Sequence, residues 1–314
     1  MSEVPRAFCQ IIKCKDKIFF NIFASMKVPS NLVRDIRKYY CELICSIYDK
    51  DESSTMILIL LEHYFKITRV KMALEPDMRL SESELLTFHF AVKDLLKNKP
   101  IQYIIGETEF CDLKFKVNEN VLIPRPETSE LVMNIVKRQK TKDKRQLSIL
   151  DIGTGSGCIA LSLAKRIPNS KVYALDISEK ALEVAKENAI NNDADITFIH
   201  DDILSLNNKI ETKFDIIVSN PPYVRELEKA EIRDNVLNWE PHNALFVSND
   251  DPLIFYRSIL EFSKSHLNDN GEVWFEINEF LAREMTSLCE ELGFSVIKIY
   301  KDFRDKDRFM KLKT

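Results

Sequence analysis

From Leu147 onward, short β-branched apolar runs alternate with stretches of helical periodicity, and that alternation limits the possible fold more than any other feature. "LSILDI", "KVYALDI", "ITFIH", "KFDIIVSN" and "GEVWFEI" read as strands. "SGCIALSLAKRI", "SEKALEVAKENAIN", "DPLIFYRSILEFSKSHL" and "FLAREMTSLCEEL" repeat their apolar residues every three or four positions and read as helices. "FSVIKIY" and "RFMKLK" add a closing pair of strands. Parallel strands need crossover connections, and helices supply them, so the pattern predicts a Rossmann-like α/β domain with a mostly parallel sheet covered on both faces.

The first hundred residues have another character. "NLVRDIRKYYCELICSIY" places Leu32, Val33, Ile36, Tyr40, Leu43, Ile44 and Ile47 on a helical period, and "MILILLEHYFKIT" continues it. Ser81 followed by Glu84 is a capping-box signature for a further helix, and Pro100 closes a small all-helical N-terminal domain at 31–100. Residues 101–128 hold the β-rich runs "TEFCDLKFKV" and "VLI" around the turn signal "NEN", which predicts a linking β-hairpin before a domain at 129–314. Residues 1–30 form an N-terminal extension with five basic and two acidic side chains among apolar ones. That composition suits an organelle-targeting segment, so a mitochondrial location is expected, with the cytoplasm as the alternative.

Charge and cysteine content narrow the class. Lys plus Arg total 45 against 49 for Asp plus Glu, and residues 1–100 hold 16 of the former and 13 of the latter. The C-terminal two-thirds is therefore acidic, which argues against affinity based on phosphate neutralisation and against nucleic acid as a direct substrate. The run of Lys137, Arg138, Lys140, Lys142, Lys144 and Arg145 reads as a solvated turn, with RNA contact as the sharper alternative. Seven scattered cysteines without a C-x-x-C pair suit a reducing compartment, and with no histidine cluster they predict no metal. No apolar stretch is long enough for a membrane span.

"LDIGTGSGCIAL" joins the first strand of the α/β domain to its first helix. Gly153, Gly155 and Gly157 allow positive φ and close approach of a ligand to the backbone at a helix N-terminus. Their G-x-G-x-G spacing is one residue short of the pyrophosphate fingerprint. Asp151 just ahead of the loop is awkward beside a pyrophosphate but suits a ligand carrying sulfonium and ammonium groups, such as S-adenosyl-L-methionine. Asp176, 19 residues after Gly157 at the end of the second strand, can accept hydrogen bonds from both ribose hydroxyls. Asp202 is placed to accept from an adenine amino group, with Asp201 as the alternative, and Ile203 to pack against the ring.

"SNPPYV" ends the fourth strand, on the side where such sheets bind ligands. Pro221 and Pro222 remove two backbone donors and fix φ, which leaves a rigid group of acceptors. The Asn220 side-chain oxygen and the Pro221 carbonyl can take the two N–H groups of a planar substrate amide or amine, with Tyr223 against its face. Such acceptors would stabilise positive charge developing on the nitrogen.

Together these residues resemble the HemK/PrmC family, which methylates the glutamine side-chain nitrogen in the Gly-Gly-Gln motif of peptide-chain release factors. "PIQYIIGETEF", "VLIPRPETSELV", "LDIGTGSGCIALSLA", "NPPYV" and "WEPHNAL" occur in the family's order. The resemblance implies a class I S-adenosylmethionine-dependent methyltransferase domain, a release factor as partner, and a helical domain that helps hold it. The family's cofactor positions fall on Gly153, Thr154, Gly155, Ser156, Gly157, Asp176, Ile203 and Asn220, and its substrate-glutamine positions on Asn220, Pro221, Pro222 and Tyr223. Three features depart from the family: Ser129 replaces an acidic residue, Asn278 replaces a glycine, and residues 248–253 replace a glycine-rich loop. An adenine-N6 methyltransferase of RNA or DNA, which shares the NPPY motif, and a catalytically idle cofactor-binding module are the competing readings.

Overall fold

A computed structural model describes residues 30–139, 145–206 and 210–313. The N-terminal segment on which the targeting expectation rests lies outside the described residues, as do Lys140, Lys142 and Lys144 of the basic run. The chain divides into two compact units, Met1–Ile105 and Gly106–Thr314.

Helices α1 (Val33–Ile44), α2 (Lys50–Phe65), α3 (Arg69–Leu74), α4 (Glu82–Leu95) and α5 (Ile101–Ile105) make up the first unit. Val33, Ile36, Tyr40 and Ile44 form the buried stripe of α1 and meet Ile57, Leu60, Leu61, Phe88 and Val92 from α2 and α4. Tyr40 brings a hydroxyl into this core and meets His89 Nδ1 there at 2.8 Å, so the polar tip is not left unpaired. Ser81 and Glu84 form the complete capping box at the start of α4.

The second unit opens with the hairpin β1 (Glu107–Phe110) and β2 (Leu113–Lys116). Its turn is Cys111–Asp112, both in the left-handed region at φ 49° and 58°, the geometry of a type I′ turn. This differs from the expected turn at "NEN", and "VLI" is not a strand. The reason is tertiary: the Arg166 guanidinium donates to the Cys111 carbonyl and to Asp112 Oδ2, holding a turn that has no glycine to announce it. Helix α6 (Pro126–Gln139) begins earlier than expected, because proline is well suited to a first helical turn. Glu127 and Thr128 consequently sit on a helix rather than in the hairpin. Arg145, at the far end of the basic run, pairs with buried Asp215 at 2.8 Å.

A seven-stranded sheet follows, in the order β10-β11-β9-β6-β3-β4-β5, formed by β3 (Leu147–Ile152), β4 (Ser170–Asp176), β5 (Ile196–His200), β6 (Phe214–Ser219), β9 (Leu267–Glu276), β10 (Ser295–Lys301) and β11 (Asp307–Lys313). The five strands from β9 to β5 run parallel, and β11 and β10 close one edge antiparallel. The two-residue strands β7 (Val224–Arg225) and β8 (Phe246–Val247) pair separately. Along β3 and β4 successive side chains enter opposite cores. Ile149, Val172 and Ala174 pack with α6 and with α7 (Cys158–Arg166), whereas Leu150, Tyr173 and Leu175 face the side of α9 (Ile254–His266) and α10 (Ala282–Glu291). Helix α8 (Glu179–Asn191) contacts β4 and β5. The strand order reverses between β3 and β6, so a crevice opens at their carboxyl ends. No helix among the described residues is long and apolar enough to cross a membrane.

Candidate active site

A cavity of about 230 Å³ occupies that crevice. Gly153 and Gly155 form part of its wall, and both have positive φ, 72° and 54°. A Cβ at either would meet no protein atom within 4 Å and would stand in open space, so the bare backbone there is a cradle for a ligand. Gly157 has a separate role. With φ 82° it is the residue before α7, and a Cβ would lie 2.8 Å from Leu161 Cδ1 and 3.2 Å from Ala185 Cβ, so its smallness lets α7 and α8 approach.

The loop is tied down from beneath. The Gly153 and Thr154 amides both donate to the Leu175 carbonyl, at 2.8 and 3.0 Å, and the Gly155 amide donates to Asp176 Oδ2 at 2.8 Å. Asn188 of α8 donates from Nδ2 to the Ser156 and Lys116 carbonyls, each at 3.0 Å, so one side chain joins the loop to the β2 strand.

Asp151 is expected at the ligand but is fully buried behind the loop and does not line the cavity. Its Oδ2 accepts from Thr154 Oγ1 at 2.7 Å and from the Ala160 amide at 3.2 Å, while Oδ1 receives no hydrogen bond. Thr154, Ser156 and Gly157 are likewise behind the wall. Burial pushes the Asp151 carboxyl up to about 7, against the pull of its two donors. The folded chain therefore holds this proton more tightly than the unfolded chain, and raising the pH favours unfolding. Stability of the ligand-free protein should fall between about pH 4 and about pH 7 as this group ionises. Asp151→Asn should flatten that fall, which urea unfolding at pH 5 and pH 8 would register. An identical pH difference in both proteins would show that Asp151 is not the source.

Asp176, 8% exposed at the end of β4, does line the cavity, as do Asp201, Asp202 and Ile203. Asp176 Oδ1 accepts from the Ser178 amide at 2.9 Å and Oδ2 from Gly155, and each oxygen retains a lone pair for a ligand. Asp202 spends part of its accepting capacity on its own turn, taking the Leu204 amide at 2.9 Å. Asp201 Oδ1 in turn accepts the Asp202 amide at 2.8 Å.

Asn220, Pro221 and Pro222 also line the cavity, just past β6, whose last residue Ser219 is paired with Ile152 at the end of β3. Asn220 Nδ2 donates to Thr128 Oγ1 at 3.2 Å. Tyr223 lies outside the cavity wall, packed against the core, and its hydroxyl donates to Glu276 Oε1 at 2.9 Å. Asn220, Pro221 and Pro222 of this corner thus line the cavity, while the Tyr223 ring anchors it to the core. Asn278, at the position where the family usually has a glycine, donates from Nδ2 to the Tyr223 carbonyl at 3.1 Å and further secures it. Ser129 donates to the Pro126 carbonyl at 2.6 Å within the first turn of α6. In the 248–253 segment Asn249 Oδ1 accepts the Leu227 amide at 3.0 Å.

Several contributors escape a reading by local spacing. Asn120, read as part of a hairpin turn, and Val121 and Leu122, read as part of a strand, line the cavity, as do Asn243 and Ala244 of "WEPHNAL". The carboxylate of Glu240 takes Arg125 Nη2 at 2.7 Å and the Ile123 amide at 3.1 Å, so "IPRPET" and "WEPHNAL" are two halves of one structural joint. Among the described residues no group of three or more His, Cys, Asp or Glu is arranged to hold a metal.

The bare glycine backbone, the carboxylate at the end of β4 and the apolar Ile203 fit an adenosyl ligand such as S-adenosyl-L-methionine. Comparison with known proteins agrees in kind. Residues 127–241 match the Methyltransferase small domain family, and residues 48–106 match the PrmC N-terminal domain. A protein of Flavobacterium psychrophilum named release factor glutamine methyltransferase is 48% identical over 282 residues, which cover 90% of this chain and 99% of that one. Proteins of the same name from Bacteroides thetaiotaomicron and Lactococcus lactis are 42% and 43% identical, covering 88% and 75% of this chain and 98% and 85% of theirs. All three relatives are bacterial, so the mitochondrial expectation finds no support among them. With this identity over nearly the whole length of such relatives, the chain belongs to the release factor glutamine methyltransferase family.

Proposed function

We propose that the protein transfers a methyl group to the N5 atom of the glutamine in the Gly-Gly-Gln motif of a peptide-chain release factor, in the bacterial cytoplasm. The observation that carries this reading is that Asn220, Pro221 and Pro222 line the same cavity as Gly153 and Gly155 of the glycine loop. S-adenosyl-L-methionine, when bound, supplies a methyl group on a positively charged sulfur. Asp176 would accept from its ribose hydroxyls, Asp202 from its adenine amino group, and Ile203 would cover the ring. Asn220 Oδ1 and the Pro221 carbonyl accept the two N–H groups of the glutamine amide. An amide nitrogen is a weak nucleophile because its lone pair is delocalised, and two fixed acceptors favour the charge that grows on it during transfer. Neither proline offers an N–H that would oppose this charge. The alkylated nitrogen is acidic and loses its proton to solvent without a dedicated base.

An adenine-N6 methyltransferase could use the same corner, but it would need basic side chains around the cavity. Here the lining carries Asp176, Asp201 and Asp202 and no Lys or Arg among the described residues.

The test is methyl transfer from labelled S-adenosylmethionine to a release factor, to its Gln→Ala version and to bulk RNA. Label on the intact factor alone is expected. Label on RNA alone would move the assignment to nucleic acid, and cofactor binding without any transfer would identify an idle module.

A further inference from the structure

We propose that Thr128 and Glu276 act as a positioning relay that fixes the Asn220 amide with its oxygen toward the substrate. The inference rests on the reading of Asn220 as the substrate acceptor. An asparagine amide can be turned by half a rotation with little change in shape, yet only one orientation presents an acceptor. The opposite one would point an NH₂ group at the substrate's own NH₂.

The surrounding hydrogen bonds decide between them. Thr128 Oγ1 donates to Glu276 Oε2 at 2.7 Å. A hydroxyl has one hydrogen, so toward Asn220 the same oxygen can only accept, and the Asn220 Nδ2 at 3.2 Å is the matching donor. Oδ1 is thereby turned away from Thr128. Both relay members are almost fully buried, Thr128 2% and Glu276 1% exposed, so water does not compete. The other Glu276 oxygen takes the Tyr223 hydroxyl at 2.9 Å, and its main-chain carbonyl takes Tyr256 at 2.9 Å. One carboxylate therefore holds both ends of the Asn220–Tyr223 corner, through residues 148 and 53 positions away in sequence. Thr128 can do this because α6 starts at Pro126, which puts its side chain on the first helical turn.

The experiment compares Thr128→Val, which removes the hydroxyl, with Thr128→Ser, which keeps it, in the full-length protein. Thr128→Val should lower kcat about tenfold, the scale of one misoriented hydrogen bond, with KM for the release factor and affinity for S-adenosylmethionine within about twofold. Thr128→Ser should recover most of the loss. Equal kcat in the two variants would overturn the relay. So would loss of cofactor affinity alongside turnover, which would make Thr128 a structural residue. If the wild-type protein transfers no label to the release factor, the Asn220 assignment itself fails. The relay is then read from the Asn220 side-chain amide resonances, expected to shift in Thr128→Val and not in Thr128→Ser. Unchanged resonances in both would overturn it.

Discussion

Replacing Asn220 with alanine is expected to lower turnover about 10²-fold while leaving affinity for S-adenosylmethionine within a few-fold. The scale is that of losing one fixed group aimed at charge developing in the transition state. The asymmetry between the two effects follows from position. Asn220 lines the cavity and its Nδ2 is engaged by Thr128, which on the proposed reading leaves its oxygen for a substrate N–H. Single-turnover transfer to the release factor and equilibrium binding of the cofactor, measured on the same preparation, separate the two. Comparable losses in both would assign Asn220 to cofactor binding and leave the Pro221 carbonyl as the substrate acceptor.

The parts of this site that the sequence makes legible are those whose cause is local. Alternation of apolar residues along "LSILDI" and "KVYALDI" sends Ile149 and Val172 to one core and Leu150 and Tyr173 to the other, as a period of two requires. The glycine loop can be located because a strand followed by G-x-G-x-G and a helical period has few other uses. Asp176 and Asn220 line the cavity, where the rule that ligand crevices lie at the carboxyl ends of parallel strands places them.

The rest depends on contacts between distant segments. The turn at Cys111–Asp112 is held by Arg166, 55 and 54 positions away. Glu240 reaches back 115 positions to Arg125 and Glu276 reaches 148 to Thr128, and no local spacing announces either pair. Asp151 illustrates the opposite failure. Its position before the loop suggests a ligand contact, but β3 directs its side chain beneath the loop, where it organises Thr154 and the start of α7. Tyr223 is similar: a ring beside an acceptor wall suggests stacking, whereas Glu276 draws its hydroxyl inward. In both cases the residue belongs to the site's neighbourhood, and only the direction of the side chain separates a contact from a support.

Asp176→Ala is expected to weaken binding of S-adenosylmethionine by roughly 10- to 100-fold, the scale of losing charge-assisted hydrogen bonds to a buried ligand. The carboxylate also organises the wall, since the Gly155 and Ser178 amides donate to its two oxygens. Loss of affinity alone therefore does not separate ribose recognition from loop support. A 2′-deoxy analogue of the cofactor makes the distinction. If Asp176 accepts from the ribose, wild type should discriminate strongly against the analogue and the variant should not. Burial raises the Asp176 carboxyl above the usual carboxylate range, with the Ser178 and Gly155 amides opposing the shift. Because the ionised form is the better double acceptor, affinity should begin to fall at a higher pH than an ordinary aspartate would give as the solution is acidified. Titration calorimetry across the acidic range would show that decline in wild type and its absence in Asp176→Ala. Unchanged affinity in the variant, or equal discrimination against the deoxy analogue in both proteins, would remove Asp176 from the ribose site and leave it as the brace of the Gly155 turn.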